Sequence, residues 1–166
     1  PAEAISEIWE QLVEASIADL RAALEAGVET SVSLTESYLA RIAAYDRAGP
    51  CLNAVPVLNP DALNDARASD MRRKAGKTLG PLDGIPYTAK ASYSAKGLPV
   101  SAGSPAFEHL VAGADAFVIE RLRAGGAVLL GLTEQLVGQR AFGATGFNYC
   151  GNLMPPQLPP DELMAL

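Results

Sequence analysis

A strand, a helix and a second strand in close succession constrain the fold of this 166-residue chain more than any other feature. Ile85–Ala89 reads as a short strand, and Asp115–Arg123 repeats apolar residues at helical spacing, with Phe117, Val118 and Leu122 expected inward. After the glycine pair Gly125-Gly126, the run Ala127-Val128-Leu129-Leu130 is wholly apolar, as a strand covered on both faces would be. Two strands joined through a helix lie parallel, because a hairpin turn cannot connect them. The expected class is therefore α/β: a mixed or parallel sheet flanked by helices, with N-terminal helices preceding it.

Those first helices are legible from their ends. Residues 4–26 carry Ile5, Ile8, Leu12, Ala15, Leu20 and Leu24 at helical spacing, and Gly27 ends the run; Ser16-Ile17-Ala18-Asp19 is expected to interrupt it, with Asp19 capping a second helix. The capping box Ser33-Leu34-Thr35-Glu36 predicts a helix from Ser33 to Gly49, with Leu34, Tyr38, Leu39, Ile42 and Tyr45 as its apolar stripe. Ala54–Leu58 is β-like, and Pro56 assigns it to an edge because proline has no amide to donate. Asn59-Pro60-Asp61 starts a further helix, capped by Asn59 and running to Gly76.

Composition removes several functions. With 13 basic and 19 acidic residues, the net charge of −6 offers nucleic acid no footprint. No apolar run is long enough to span a membrane, and the acidic start Pro1-Ala2-Glu3-Ala4 is not a signal peptide, so a cytoplasmic, reducing setting is expected. Cys51 and Cys150 read as free thiols. His109 is the only histidine, so no metal site and no cofactor are expected.

The chemistry concentrates where glycine and proline do. Gly80, Pro81, Gly84, Pro86, Gly97, Pro99, Gly103 and Pro105 punctuate a loop-rich stretch, and within it Lys90 ends a run that reads as a buried strand. A buried ammonium loses hydration, which favours the neutral amine, and a neutral lysine can activate a serine nucleophile. Tyr87, Ser92, Tyr93 and Gly103 are the candidates to line a pocket beside it, for a small-molecule ligand or substrate. The plainer alternatives are that Lys90 extends to solvent or makes an ordinary ion pair with Asp83 or Asp115.

Gly80-Pro81-Leu82-Asp83-Gly84-Ile85-Pro86 with Lys90 four residues on, then Lys96-Gly97-Leu98-Pro99, Ser101-Ala102-Gly103-Ser104, Asp115-Ala116-Phe117-Val118 and Gly125–Gly131, resembles the amidase signature family in order and spacing. The resemblance covers about Val32 to Asn152. It implies a partial amidase-signature fold and, for Lys90, the lysine of a Ser–Ser–Lys triad that hydrolyses carboxamides. Where that family carries its Gly/Ser-rich nucleophile segment, this chain reads Gly151-Asn152-Leu153-Met154-Pro155. The family's usual aspartate after the lysine is Ala91, and its usual polar residues after Gly131 are Leu132 and Glu134. Residues 1–152 are thus expected to form one truncated amidase-like α/β domain, and 153–166 a proline-rich tail in extended conformation.

Three functions follow from the resemblance. The first is an amidase-like protein without the Ser–Ser part of the triad, repurposed to bind or transform a small molecule with Lys90 as acid/base. The second is an amide hydrolase using a local serine, Ser101 or Ser104, or a serine supplied by a partner; Gly103 would offer amides for an oxyanion, although both serines are equally good turn and cap residues. The third is a non-catalytic partner or regulatory subunit. Shortening of the sheet would expose an unpaired edge, expected to be covered by a second copy of the chain (a homo-oligomer, the favoured cover), by another protein or by the proline-rich tail.

Overall fold

The computed structural model describes residues 15–49, 53–100, 107 and 109–133. In chain order these form α1 (Ile17–Ala26), α2 (Ser31–Arg41) with a π-helical continuation over Ile42–Arg47, β1 (Val57–Leu58), α3 (Ala62–Lys74), β2 (Pro86–Lys90), α4 (Phe117–Ala124) and β3 (Val128–Thr133). The three strands lie in the order β1-β3-β2. β1 runs antiparallel to β3, with Val57 opposite Leu132 and Leu58 opposite Gly131. β2 and β3 ascend together: the Val128 amide donates to Ile85 O at one end (2.9 Å) and the Ala91 amide to Thr133 O at the other (2.8 Å). The sheet is mixed and the β2–α4–β3 crossover parallel, as the sequence pattern requires. Gly131 admits the edge strand, because a Cβ there would meet the backbone of Val57 and Leu58.

The chain divides into two compact units, Pro1–Leu39 with Pro60–Tyr87 and Arg121–Leu130, and Ala40–Asn59 with Thr88–Glu120 and Gly131–Leu166. In the first, Leu20 and Leu24 of α1 pack with Leu34 of α2 and Ile85, and Ala62 and Ala66 of α3 pack with Val128. In the second, Val55, Ala91, Ala95, Leu98, Ile119 and Leu132 are buried.

Helix starts differ from expectation in detail. The break before α1 is present, but Ser16 is the cap: its hydroxyl accepts from the Asp19 amide (3.2 Å) while the Asp19 carboxylate accepts from the Ser16 amide (2.9 Å). Asp19 therefore occupies the third helical position. α2 begins at Ser31, earlier than Ser33, because Thr30 and Ser33 exchange amide-to-hydroxyl bonds of 2.9 and 3.0 Å and Asp70 supplies a second cap from α3. The Asp70 carboxylate accepts from the amides of Ser31 (2.7 Å) and Val32 (3.1 Å). The N-cap position of α3 is Asp61 rather than Asn59, and Asp61 makes no side-chain capping hydrogen bond there. In α4 the buried residue is Ile119, whereas Phe117 is 76 % and Val118 42 % exposed. On so short a helix, periodicity leaves the choice of inward face open by one position.

The π-helical turn has a local purpose. It places the buried Asp46 carboxylate on the amides of Ala54 and Val55, and sends Arg47 to Asn53 Oδ1 (3.0 Å), Val55 O (2.5 Å) and Pro56 O (2.9 Å). The chain entering β1 is held by these two side chains. Cys51, Pro50, residues 1–14, Cys150 and the proline-rich tail lie outside the described residues.

Candidate active site around Lys90

The Gly/Pro-rich turn before β2 is built on a buried carboxylate. Asp83 is 1 % exposed and takes a two-pronged contact from the Arg72 guanidinium, Nη2 to Oδ1 at 2.7 Å and Nε to Oδ2 at 3.2 Å, together with the Leu79 amide at 2.8 Å. Arg73 Nη2 donates to the Asp83 carbonyl (2.8 Å). Burial pushes the Asp83 carboxyl up, but the Arg72 and Leu79 hydrogen bonds outweigh it and hold the group below the usual carboxylate range. The same contact raises Arg72.

Two glycines make room for this turn. A Cβ on Gly126, at φ +81°, would lie 2.6 Å from Asp83 Cγ, and one on Gly84, at φ +87°, would lie 2.6 Å from Ser69 Oγ. Only glycine tolerates both the conformation and the approach. The Gly84 amide donates to Gly126 O (2.9 Å), and Ser31 Oγ to Gly84 O (3.0 Å), so the start of β2 is fixed from both sides. Asp83 is a structural anchor, and the alternative of an Asp83–Lys90 ion pair is replaced by Asp83–Arg72.

At the other end of β2, Lys90 sits between two clasps. Thr133 Oγ1 donates to Ala89 O (3.2 Å), and Thr133 O accepts from the Ala91 amide (2.8 Å). The chain then turns, with the Tyr93 amide donating to Lys90 O (2.9 Å). Downstream, Ser94 O accepts from Ala116 (2.7 Å), the Lys96 amide donates to Asp115 Oδ1 (2.7 Å), and Pro99 bridges Val111 antiparallel. Asp115 thus holds backbone at Lys96.

Contrary to the reading of a buried strand end, the Lys90 side chain is exposed. The reason is strand alternation: Ala89 and Ala91 turn toward cover, whereas Thr88 and Lys90 take the open face. Among the described residues no hydrogen bond or ion pair involves its ammonium group. Ser92 and Tyr93 lie exposed on the same turn as Lys90. Tyr87, three positions earlier on β2, falls on the opposite face by the same alternation. Ser101, Gly103 and Ser104 lie outside the described residues, between Val100 and Phe107, whose neighbours are tied by the Val100 amide to Leu110 O (2.8 Å). Two shallow clefts, of about 190 Å³ lined in part by Arg73 and Gly80 and about 270 Å³ lined in part by Arg72 and Arg123, both exclude Lys90. Among the described residues no group of three or more His, Cys, Asp or Glu could hold a metal, and no helix is long and apolar enough to cross a membrane.

The chain that carries this arrangement is matched among known proteins. The family model described as Amidase matches residues 33–151. The chain belongs to the amidase signature family. It is 46% identical over 122 residues to a glutamyl-tRNA(Gln) amidotransferase subunit of Chloroflexus aurantiacus, spanning 73% of this chain and 24% of that protein. The native peptide amidase of Stenotrophomonas maltophilia is 47% identical with a TM-score of 0.71, over 73% of this chain and 25% of that one. An amidase family protein of Bacillus anthracis superposes with a TM-score of 0.73 at 30% identity, over 80% and 26% of the two chains. This chain spans about a quarter of the length of these relatives. The amidase-signature fold is thus present in its N-terminal part.

Proposed function

We propose that Lys90 is the proton-accepting residue of an amide C–N hydrolase site whose nucleophilic and bridging hydroxyls come from polypeptide outside residues 1–166. The observation that carries this reading is the position of Lys90: a side chain open to an incoming group, on backbone clasped at Ala89 and Ala91 by Thr133. A base on a strand is held more precisely than one on a loop. The neutral Nζ takes the proton of a bridging hydroxyl, which takes that of the nucleophile; the nucleophile's oxygen bonds to the carboxamide carbon. The C–N bond breaks as the proton passes to the departing nitrogen, and water cleaves the ester left behind.

Ammonia release from a peptide carboxamide, the class suggested by the name of the peptide amidase relative, and from glutamine, measured with the hydroxyl-bearing polypeptide present, tests this reading. Lys90→Ala should lower turnover about 100-fold or more, the scale of a lost acid/base group. Equal turnover in wild type and variant removes Lys90 from the chemistry.

A second reading is supported by departures inside the motif region: Ala91, Leu132 and Glu134 stand where the resembled family has other, polar residues. In it the chain is a repurposed relative that binds or transforms another small molecule at Lys90 without amide hydrolysis. A small molecule that co-purifies with wild type and is lost from Lys90→Ala, with no ammonia from either protein, would select it.

A further inference from the structure

We propose that the cleft formed by α1, the end of α3 and the turn Thr78–Pro81 binds the carboxylate of a small molecule, at a site separate from Lys90. Arg21, Glu25, Arg73, Thr78, Gly80 and Pro81 line it, and its volume is about 190 Å³. All of them are among the described residues and belong to one compact unit.

Arg73 supplies the first argument. Its neighbour Arg72 is neutralised by the Asp83 carboxylate, whereas Arg73 is held through Nη2 by the Asp83 carbonyl (2.8 Å), a group without charge. The buried Arg73 Nε has no acceptor, and among the described residues no carboxylate pairs with this guanidinium. A cation taken partly out of water without a counter-charge is costly, and an anion bound beside it offsets that cost.

The second cation is loosely held. Arg21 Nη2 stands 3.4 Å from Glu25 Oε1, with the two side chains 44 % and 61 % exposed, and a pair of this kind is too weak to keep Arg21 from a ligand. Arg21 and Arg73 against Glu25 leave the lining with one net positive charge, which suits a monoanion. A phosphate dianion would set surplus negative charge against Glu25. Thr78 and Gly80 add a hydroxyl and an amide N–H that have no partner among the described residues. Guanidinium forks match the two oxygens of a carboxylate, and a volume below that of drug-sized sites suits a short carboxylic acid.

Titration of this chain with propionate, followed through its amide and arginine Nε resonances, tests the proposal. The Thr78 and Gly80 amides and the Arg73 Nε signal should shift saturably, whereas propionamide, of the same shape without the charge, should leave them in place. Arg21→Gln should weaken propionate binding about tenfold, the scale of one lost charge-assisted hydrogen bond. Glu25→Gln should strengthen it by removing the competing carboxylate. Both residues are exposed on α1, so these variants should fold as wild type does. Arg73→Lys, which keeps the charge and loses the fork, should weaken binding as well. Lys90→Ala should bind propionate unchanged, so the site stands or falls apart from the hydrolase reading. Shifts that do not saturate, the same shifts with chloride at equal concentration, or tighter binding of inorganic phosphate than of propionate overturns the proposal. So does wild-type affinity in Arg21→Gln or in Arg73→Lys, or loss of binding in Lys90→Ala.

Discussion

At the scale of single residues, Asp83 carries the clearest energetic prediction. Its carboxylate is 1 % exposed and bound by Arg72 and the Leu79 amide. Removing one partner of a buried pair leaves the other uncompensated, so Asp83→Ala should cost about 3 kcal/mol, read as a lower urea midpoint with unchanged slope. The pH dependence has a defined sign. The folded group is held below the ordinary range, with burial opposing and Arg72 favouring the charge. Its contribution is complete above the unfolded carboxyl value of about 3.9 and is lost as pH falls through the lower folded value. Wild type should therefore lose thermal stability on acidification more steeply than Asp83→Asn; parallel slopes would show that Asp83 does not set the acid limit. Lys90 stands apart from this framework. Its substitution by alanine should leave the urea midpoint within about 0.5 kcal/mol of wild type, as for other exposed positions.

At the scale of elements, glycines and caps set the geometry. Gly126→Ala should destabilise by about 2 kcal/mol or more, because a methyl group there meets Asp83 Cγ at 2.6 Å and the φ of +81° is unfavourable for alanine. Ser16→Ala should cost about 1 kcal/mol through the lost cap of α1, with the loss of helicity visible by circular dichroism. These elements also show what a sequence discloses. The crossover was legible because the apolar run Val128–Leu130 admits only a buried strand, and Gly84 and Gly126 announced tight turns. Asp70 at the start of α2 was not legible, since a cap from another helix leaves no local pattern. The exposure of Lys90 was missed for a related reason: one run of apolar residues does not say which face of a strand has neighbours. Alternation did separate Tyr87 from Lys90, and parity alone would have shown it.

At the scale of the whole molecule, the proposed role of Lys90 requires that its side chain be reachable, and the exposure of Lys90 on β2 meets that requirement. The anchors, by contrast, lie within residues 15–133: Arg72 with Asp83, Thr133 with Ala89 and Ala91, Asp46 with Ala54 and Val55. The lysine end of the site is thereby organised by this chain's own contacts. Limited proteolysis checks this division, with cleavage expected in the Ser92–Tyr93 turn before any within Asp83–Ile85; the reverse order would place the rigid part elsewhere.

The carboxylate that starts α2 belongs to a residue thirty-eight or thirty-nine positions downstream of the amides it holds. A peptide ending before α3 would lack that anion, and its helix should unravel from Thr30 onward. A synthetic α3 added in trans should wind it again, and the same peptide carrying Asp70→Asn should do so less well.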